Sequence, residues 1–357
     1  MTATSGRDNN FDAVRLIAAL AVVVGHAWPL TGLTHPPAVA GIPMFTIAVY
    51  VFFTLSGYLV GTSWVRDPRP LAFLTRRVSR IFPALIVVVV LTVFVIGPLV
   101  TTLPIANYFA SPTTWGYLGN VSLLATYDLP GVFADHPRPV VNGVLWTLGP
   151  EFSCYLGVLA IGLLANATRR AVPGRGVAIA FGVVAVVLAA LCLAPIDLGT
   201  AATAMRAMVF FAIGSALAHG GVRRLPVWAP CIAIIVWVAG SVAFPSQVLL
   251  FAWVALPVVV LAIGQSSWPV FRAAGRFGDF SYGTYLWGFL VQQVVFQLVP
   301  AIPLEADVAL VVVITVGVAA ASWHLVEKRA LALGRRLASR RYVRPMPQGS
   351  AALPKLR

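Results

Sequence analysis

What most constrains this chain is a succession of apolar runs, each close to the length of about 20 residues that a helix needs to cross the hydrocarbon of a bilayer. Ten of them fall at residues 11–30, 43–62, 81–100, 144–166, 174–193, 199–219, 227–244, 247–264, 280–300 and 306–326. Lipid offers no partner for backbone polar groups, so uninterrupted runs of this kind are expected to be helices. The sequence therefore predicts an all-α polytopic membrane protein with ten transmembrane helices. Composition agrees, with 59% hydrophobic and 10% charged residues. The first run holds Arg15 and His26 and is followed by no small-residue cleavage pattern, so it reads as a retained span rather than a secretory signal. The stretch WGYLGNVSLLAT at 115–126 is too short and polar to span, and is expected to be interfacial or re-entrant. Cys154, Cys192 and Cys231 lie in apolar runs without metal-ligand or CxxC spacing, which points to core residues and to no metal site.

A formal charge of +14 would suggest nucleic acid in a soluble protein. Here the positions of the charges explain it better. Basic residues cluster before the first run and after the second, fourth, sixth, eighth and tenth, whereas the alternate loops hold only Arg138 beside several acids. Short cytoplasmic loops carry the excess of Lys and Arg, so both termini are expected in the cytoplasm of a cell-membrane protein. The basic excess then serves orientation and attraction to anionic membrane lipid, and no nucleic-acid partner is expected. Three regions follow: a cytoplasmic N-terminus at 1–10, a ten-helix membrane domain at 11–330, and a basic tail at 331–357 expected to lack fixed structure.

Intramembrane ionisable residues are costly and tend to pair and act. Aligning the helix starts at the membrane faces and using a rise of 1.5 Å per residue, His26 lies about 6 Å from the outer end of its span, and Glu151 and Arg206 about 10 Å from theirs. This alignment predicts that the three meet in the bundle interior. A second layer at the cytoplasmic side holds Arg15, the run RRVSR at 76–80, Asp279, His324 and Glu327. Arg15 and His26 are eleven residues apart and fall within about 20° of one helix face, about 16 Å apart along it. One face thus links the two layers, as the ends of a channel would be linked. Blander readings stand beside these: Arg15 as a snorkelling cation, Arg76, Arg77 and Arg80 as orientation signals, His26 as a structural histidine, and Ser56-Gly57 as small-residue helix packing. Pro150 is expected to break the helix so that Glu151 sits at a new N-terminus, where its charged form is favoured.

Six segments in order resemble the membrane-bound acyltransferase-3 family. FDAVRLIAALAVVVGH (11–26) is similar to its first-helix arginine and histidine, FFTLSGYLV (52–60) to its Ser-Gly segment, and FLTRRVSRIFP (73–83) to its arginine-rich segment. WTLGPEFSCY (146–155), FGDFSYGTYLWGF (277–289) and SWHLVEKRA (322–330) resemble its Trp-Ser/Thr-Leu-x-x-Glu, Ser-Tyr-x-x-Tyr-Leu and closing Val-Glu motifs. Where family members often carry a histidine after that Tyr-Leu, this chain has Trp287 and Gly288, which are assigned no catalytic role.

The resemblance implies an O-acyltransferase that moves an acyl group, acetyl above others, from cytoplasmic acyl-CoA to a hydroxyl of an extracytoplasmic carbohydrate or glycolipid. His26 would act as general base or transient acyl carrier, with Glu151 orienting its ring. Arg76 and Arg77 would meet the phosphates of the donor, Arg15 and Arg80 would extend that entrance, and Ser56 and Gly57 would flank the thioester arm. Trp146, Arg206, Tyr282 and Tyr285 would surround the substrates. No metal is required. The competing reading is a multi-span transporter of an anionic solute or lipid, against which stands the lack of an inverted repeat.

Overall fold

The computed structural model describes residues 9–167, 174–276, 278–300 and 302–340. Each of the ten expected runs is a helix. α1 (Phe11–Leu30) is followed by a two-residue hairpin, β1 (Ala38–Val39) and β2 (Ile42–Pro43), and then by α2 (Met44–Arg66). α3 (Pro70–Leu91) continues through a π-helical turn, Thr92–Ile96, into α4 (Gly97–Val100). Two short helices, α5 (Ile105–Ala110) and α6 (Pro112–Gly116), precede α7 (Leu148–Ala167), α8 (Gly174–Leu193), α9 (Ala201–His219) and α10 (Ala229–Ala243). α11 (Val248–Gln265), the short α12 (Pro269–Arg272), α13 (Ser281–Leu298) and α14 (Leu304–Ser322) follow, and α15 (Lys328–Arg340) ends the described chain.

Eight helical segments among the described residues are long and apolar enough to span a membrane. The other two of the ten differ for separate reasons. α10 has only 15 residues. α13 carries Ser281, Thr284, Gln292 and Gln293, all buried, because it stands at the centre of the bundle and turns its polar groups to protein rather than lipid.

Two segments overrun the bilayer. The continuous run Pro70–Val100 has 31 residues, about 46 Å of helix against a hydrocarbon thickness of about 30 Å. Its N-terminal turns, with Arg76, Arg77 and Arg80, therefore stand at the basic end of the protein. The final helix also runs on, from Leu304 to Ser339. The tail expected to be unstructured from 331 thus begins as helix: Gly334 of α15 fits against Ser79 of α3, where a side chain would collide. Residues 341–357 lie outside the described residues.

Small residues set the closest crossing. Gly57 of α2 lies against the Phe211 carbonyl of α9, Gly214 of α9 lies against the Thr54 carbonyl of α2, and the Ser215 hydroxyl donates to the Gly57 carbonyl at 3.0 Å. Close backbone approach of this kind is how helices associate in lipid, where the hydrophobic effect gives little drive.

The segment between α6 and α7 is exposed over 137–139 but is buried at Val141, Asn142, Val144 and Leu145. The His136 Nδ1–H donates to Gln293 Oε1 at 2.7 Å, and the Gln293 amide donates to the carbonyls of Arg138 and Val140 at 2.7 and 2.6 Å. Asn142 then donates to the Leu286 carbonyl at 2.9 Å, and Thr147 pairs with the Tyr285 hydroxyl at 2.7 Å. The chain from 136 to 147 accordingly descends along α13 from Gln293 to Tyr285. Side chains of α13 and Asn142 satisfy backbone groups that lipid could not. The piece that enters the bundle is this one, whereas 115–126, expected to be interfacial or re-entrant, forms the end of α6 and a 3-10 turn at Tyr117–Ser122.

Candidate active site

The descent decides where Glu151 lies. A 3-10 turn at Gly143–Thr147 leads into α7, with Pro150 in its first turn, where a missing N–H costs nothing, and Glu151 beside it. The predicted new N-terminus at Glu151 is therefore present. It begins deep in the bundle, however, far from the end where α2 starts. Ser56 Oγ donates to Glu151 Oε1 at 2.5 Å, and Ser56 is twelve residues past Met44, about 18 Å along α2.

His26 sits much nearer the end of the bundle where α2 begins. Its ring packs on Phe45, the second residue of α2, with centroids 4.6 Å apart, and edge-on to Phe289 of α13 at 5.3 Å. Phe45 and Ser56 are eleven residues apart, so imidazole and carboxylate are separated by about 16 Å along α2. The expected meeting of His26, Glu151 and Arg206 does not occur. The reason is that α7, unlike α2, begins inside the bundle. Nor does Glu151 orient the imidazole: the His26 Nδ1–H donates to the Val22 carbonyl of its own helix at 2.8 Å. A carbonyl only accepts, so the proton is assigned to Nδ1, and Nε2 keeps its lone pair in the neutral ring. Arg206 is exposed in the second turn of α9, and its carbonyl accepts from the Trp253 indole at 3.2 Å. Trp146 is half-buried in the 3-10 turn against the hydrophobic core.

Glu151 lines a cavity that Arg15 and Arg80 border. Arg15, Ser56, Arg80, Tyr282 and Tyr285, all predicted, line it, together with Thr147, Tyr155 and the apolar Val49, Phe52 and Phe53. Both Ser56 and Tyr155 donate to the same oxygen of Glu151, each at 2.5 Å. Tyr155 was not expected. Its position one helical turn after Glu151 was the available signal.

The cations divide by partner. Asp279 binds Arg15 at 3.1 Å and Arg80 at 2.7 Å, and accepts from the Ser281 hydroxyl at 2.5 Å. Burial opposes ionisation of Asp279, but Arg15 first and Arg80 next outweigh it and hold the carboxyl below the usual carboxylate range. In the turn before α3, Asp67 binds Arg69 at 2.6 Å and Arg76 at 2.8 Å; the Arg69 hydrogen bond, aided by Arg76, holds it low as well. Arg77 has no carboxylate partner among the described residues. Its guanidinium lies 5.7 Å from the centroids of both the Phe73 and Tyr155 rings, and its Nε is buried without a hydrogen bond. Within the run 76–80 it is the arginine that no described carboxylate pairs, whereas Arg76 and Arg80 have Asp67 and Asp279. Gly57, expected beside a ligand, instead faces the α9 backbone. Gly288, where relatives often have histidine, packs against Val23 of α1.

A family model described as an acyltransferase domain, that of acyltransferase-3, matches residues 8–327. The chain belongs to the acyltransferase-3 family. An O-acetyl transferase of Shigella phage Sf6 is 28% identical over 350 residues, covering 91% of this chain and 96% of its own. Nodulation protein 10 of Rhizobium leguminosarum bv. viciae is 34% identical over 168 residues, 43% of this chain and 44% of its own. No solved structure matches significantly. The protein is thus a multi-pass membrane acyltransferase, the enzyme reading rather than the transporter one.

Proposed function

We propose that this acyltransferase-3 protein takes acetyl from acetyl-CoA on the cytoplasmic side of the cell membrane and gives it to a hydroxyl of a carbohydrate or glycolipid outside. The orientation follows the basic residues, with both termini cytoplasmic. The observation that carries the reading is the arrangement along α1 and α2: a cavity among arginines at the basic end, lined by Arg15, and His26 about 16 Å further along the same α1 face. The name of the phage relative supports acetyl as the group.

Coenzyme A enters with its phosphates at Arg77, whose buried Nε lacks a partner, and at Arg76 and Arg80 once their carboxylates share them. The pantetheine arm carries amide N–H groups. Ser56 and Tyr155 direct their hydroxyl hydrogens at Glu151, so the lone pairs of the two hydroxyl oxygens and of the carboxylate present acceptors to that arm. The thioester is then delivered toward His26. Nε2 takes the proton of the acceptor hydroxyl as that oxygen attacks the thioester carbonyl; the C–S bond breaks, an ester C–O bond forms, and the departing thiolate takes up the proton held by the imidazolium, which returns the ring to its neutral form. Holding the proton on Nδ1 keeps Nε2 free for this step, the role that the Val22 carbonyl plays.

The test uses membrane vesicles from cells producing the full chain, given acetyl-CoA labelled in the acetyl group, with label counted in extracted envelope glycans. His26→Gln should lower incorporation by about 100-fold or more, the usual worth of a general base. Incorporation within twofold of the unchanged protein would remove His26 from the reaction.

A further inference from the structure

The cavity and the imidazole are separate compartments. His26 is not among the residues lining the cavity, and aromatic side chains stand between them. On α2, Phe45, Val49, Phe52 and Ser56 fall at i, i+4, i+7 and i+11 and share one face. Phe45 touches His26 at one end of this row, and Ser56 binds Glu151 at the other. On α13, Tyr285 and Phe289 form the facing row, one turn apart. Phe52 meets Tyr285 edge-on at 5.5 Å, roofing the cavity, and Phe289 meets His26 edge-on at 5.3 Å. A group travelling from the cavity to Nε2 passes Val49 and both phenyl rings.

We propose that Phe52 and Phe289 form an aromatic gate between donor cavity and histidine, and that this gate selects short acyl groups. The inference rests on the donor and base roles assigned above. Two structural details argue for a gate rather than plain core packing. Phe52 is half-buried and lines empty space rather than being enclosed on all sides. Phe289 is seated by Gly143 of the descending segment, where a Cβ would stand 2.8 Å from the ring edge, so that any side chain at 143 would press the ring out of its place. The Asn142 hydrogen bond to the Leu286 carbonyl fixes that glycine in height against α13. An acetyl group adds one methyl beyond the thioester carbonyl and slips past displaced ring edges. A butyryl or hexanoyl chain has to hold the rings apart along more of its length.

The experiment compares acetyl-, butyryl- and hexanoyl-CoA, each labelled in the acyl group, on membrane vesicles containing the full chain and its native acceptor. Phe52→Ala should raise the ratio of butyryl to acetyl transfer by about tenfold or more, the discrimination a pocket gives per methylene. Gly143→Ala, which presses Phe289 out of its seat, should shift that ratio from the wild-type value by more than twofold. Should Phe52→Ala fail to accumulate as folded protein, Phe52→Leu carries the same expected direction. Ratios within twofold of wild type for the Phe52 and Gly143 variants, with acetyl transfer retained, would overturn the gate. If the unchanged chain labels nothing from any of the three thioesters, the acyl-CoA donor itself is wrong and the gate falls with it.

Discussion

Replacing Glu151 by Gln separates two accounts of what this carboxylate does. In the structure its Oε1 accepts two hydroxyl hydrogen bonds of 2.5 Å, from Ser56 and Tyr155, and it has no bond to His26. A hydrogen bond to a charged group contributes about 1.5–3 kcal/mol and one between neutral groups about 0.5–1.5 kcal/mol. Glutamine keeps the shape and loses the charge, so each bond weakens by about 1 kcal/mol, and the pair by about 2 kcal/mol. If that ordering serves to receive the donor arm, the loss falls on ground state and transition state alike and appears in KM. At 1.4 kcal/mol per factor of ten, KM for acetyl-CoA should rise about 30-fold with kcat little changed. Initial rates of label incorporation in vesicles, measured over a range of acetyl-CoA concentrations, give both constants. Had Glu151 oriented the imidazole, the substitution would act as loss of the triad carboxylate does in serine proteases, lowering kcat by about 10⁴. A collapse of kcat with KM unchanged would therefore refute the placement of Glu151 in the donor cavity.

Arg77→Gln should raise the KM for acetyl-CoA more than Arg76→Gln, because Arg76 is already matched by Asp67 whereas Arg77 has only aromatic rings; equal effects would contradict this. Gly57→Ala drives a Cβ into the Phe211 carbonyl and should destabilise the helix pair by about 1–3 kcal/mol, seen as a lower melting temperature in detergent. Gly157→Ala, with open space around it, is the control and should melt as the parent does. The Asp279 carboxyl is depressed in the folded protein, so its contribution is present above the unfolded-state value of about 4 and is lost as pH falls below it. The difference in melting temperature between parent and Asp279→Asn should stay constant from about pH 8 to 5 and shrink below about pH 4. A difference that shrinks already between pH 8 and 6 would contradict the ion-pair assignment.

Much of this protein was legible in its residues. Helices in lipid form wherever about 20 apolar residues run together, whatever surrounds them, because each must satisfy its own backbone. The ten runs, the all-α class, the basic end and the linking of Arg15 to His26 along one face of α1 are local consequences of that rule. The motif segments pointed to the family, and five of the expected residues, Arg15, Ser56, Arg80, Tyr282 and Tyr285, do line the cavity that holds Glu151. What failed was depth. Counting 1.5 Å per residue from a helix start assumes that every helix starts at a membrane face, and α7 does not. Nothing in WTLGPEFSCY tells that its first residues are held beside Tyr285.

Sequence alone thus determined the elements, their order and the class of chemistry, since those depend on residues close together in the chain. Only the tertiary structure decided which ionisable groups meet. The segment from 136 to 147, exposed at 137–139 and buried at Val141 and Asn142, can enter the bundle without forming an α-helix because α13 supplies Gln293, the Leu286 carbonyl and Tyr285 as partners from about 140 to 160 residues away. That long-range satisfaction of backbone polar groups carries Glu151 down to Ser56 and leaves His26 to its own helix.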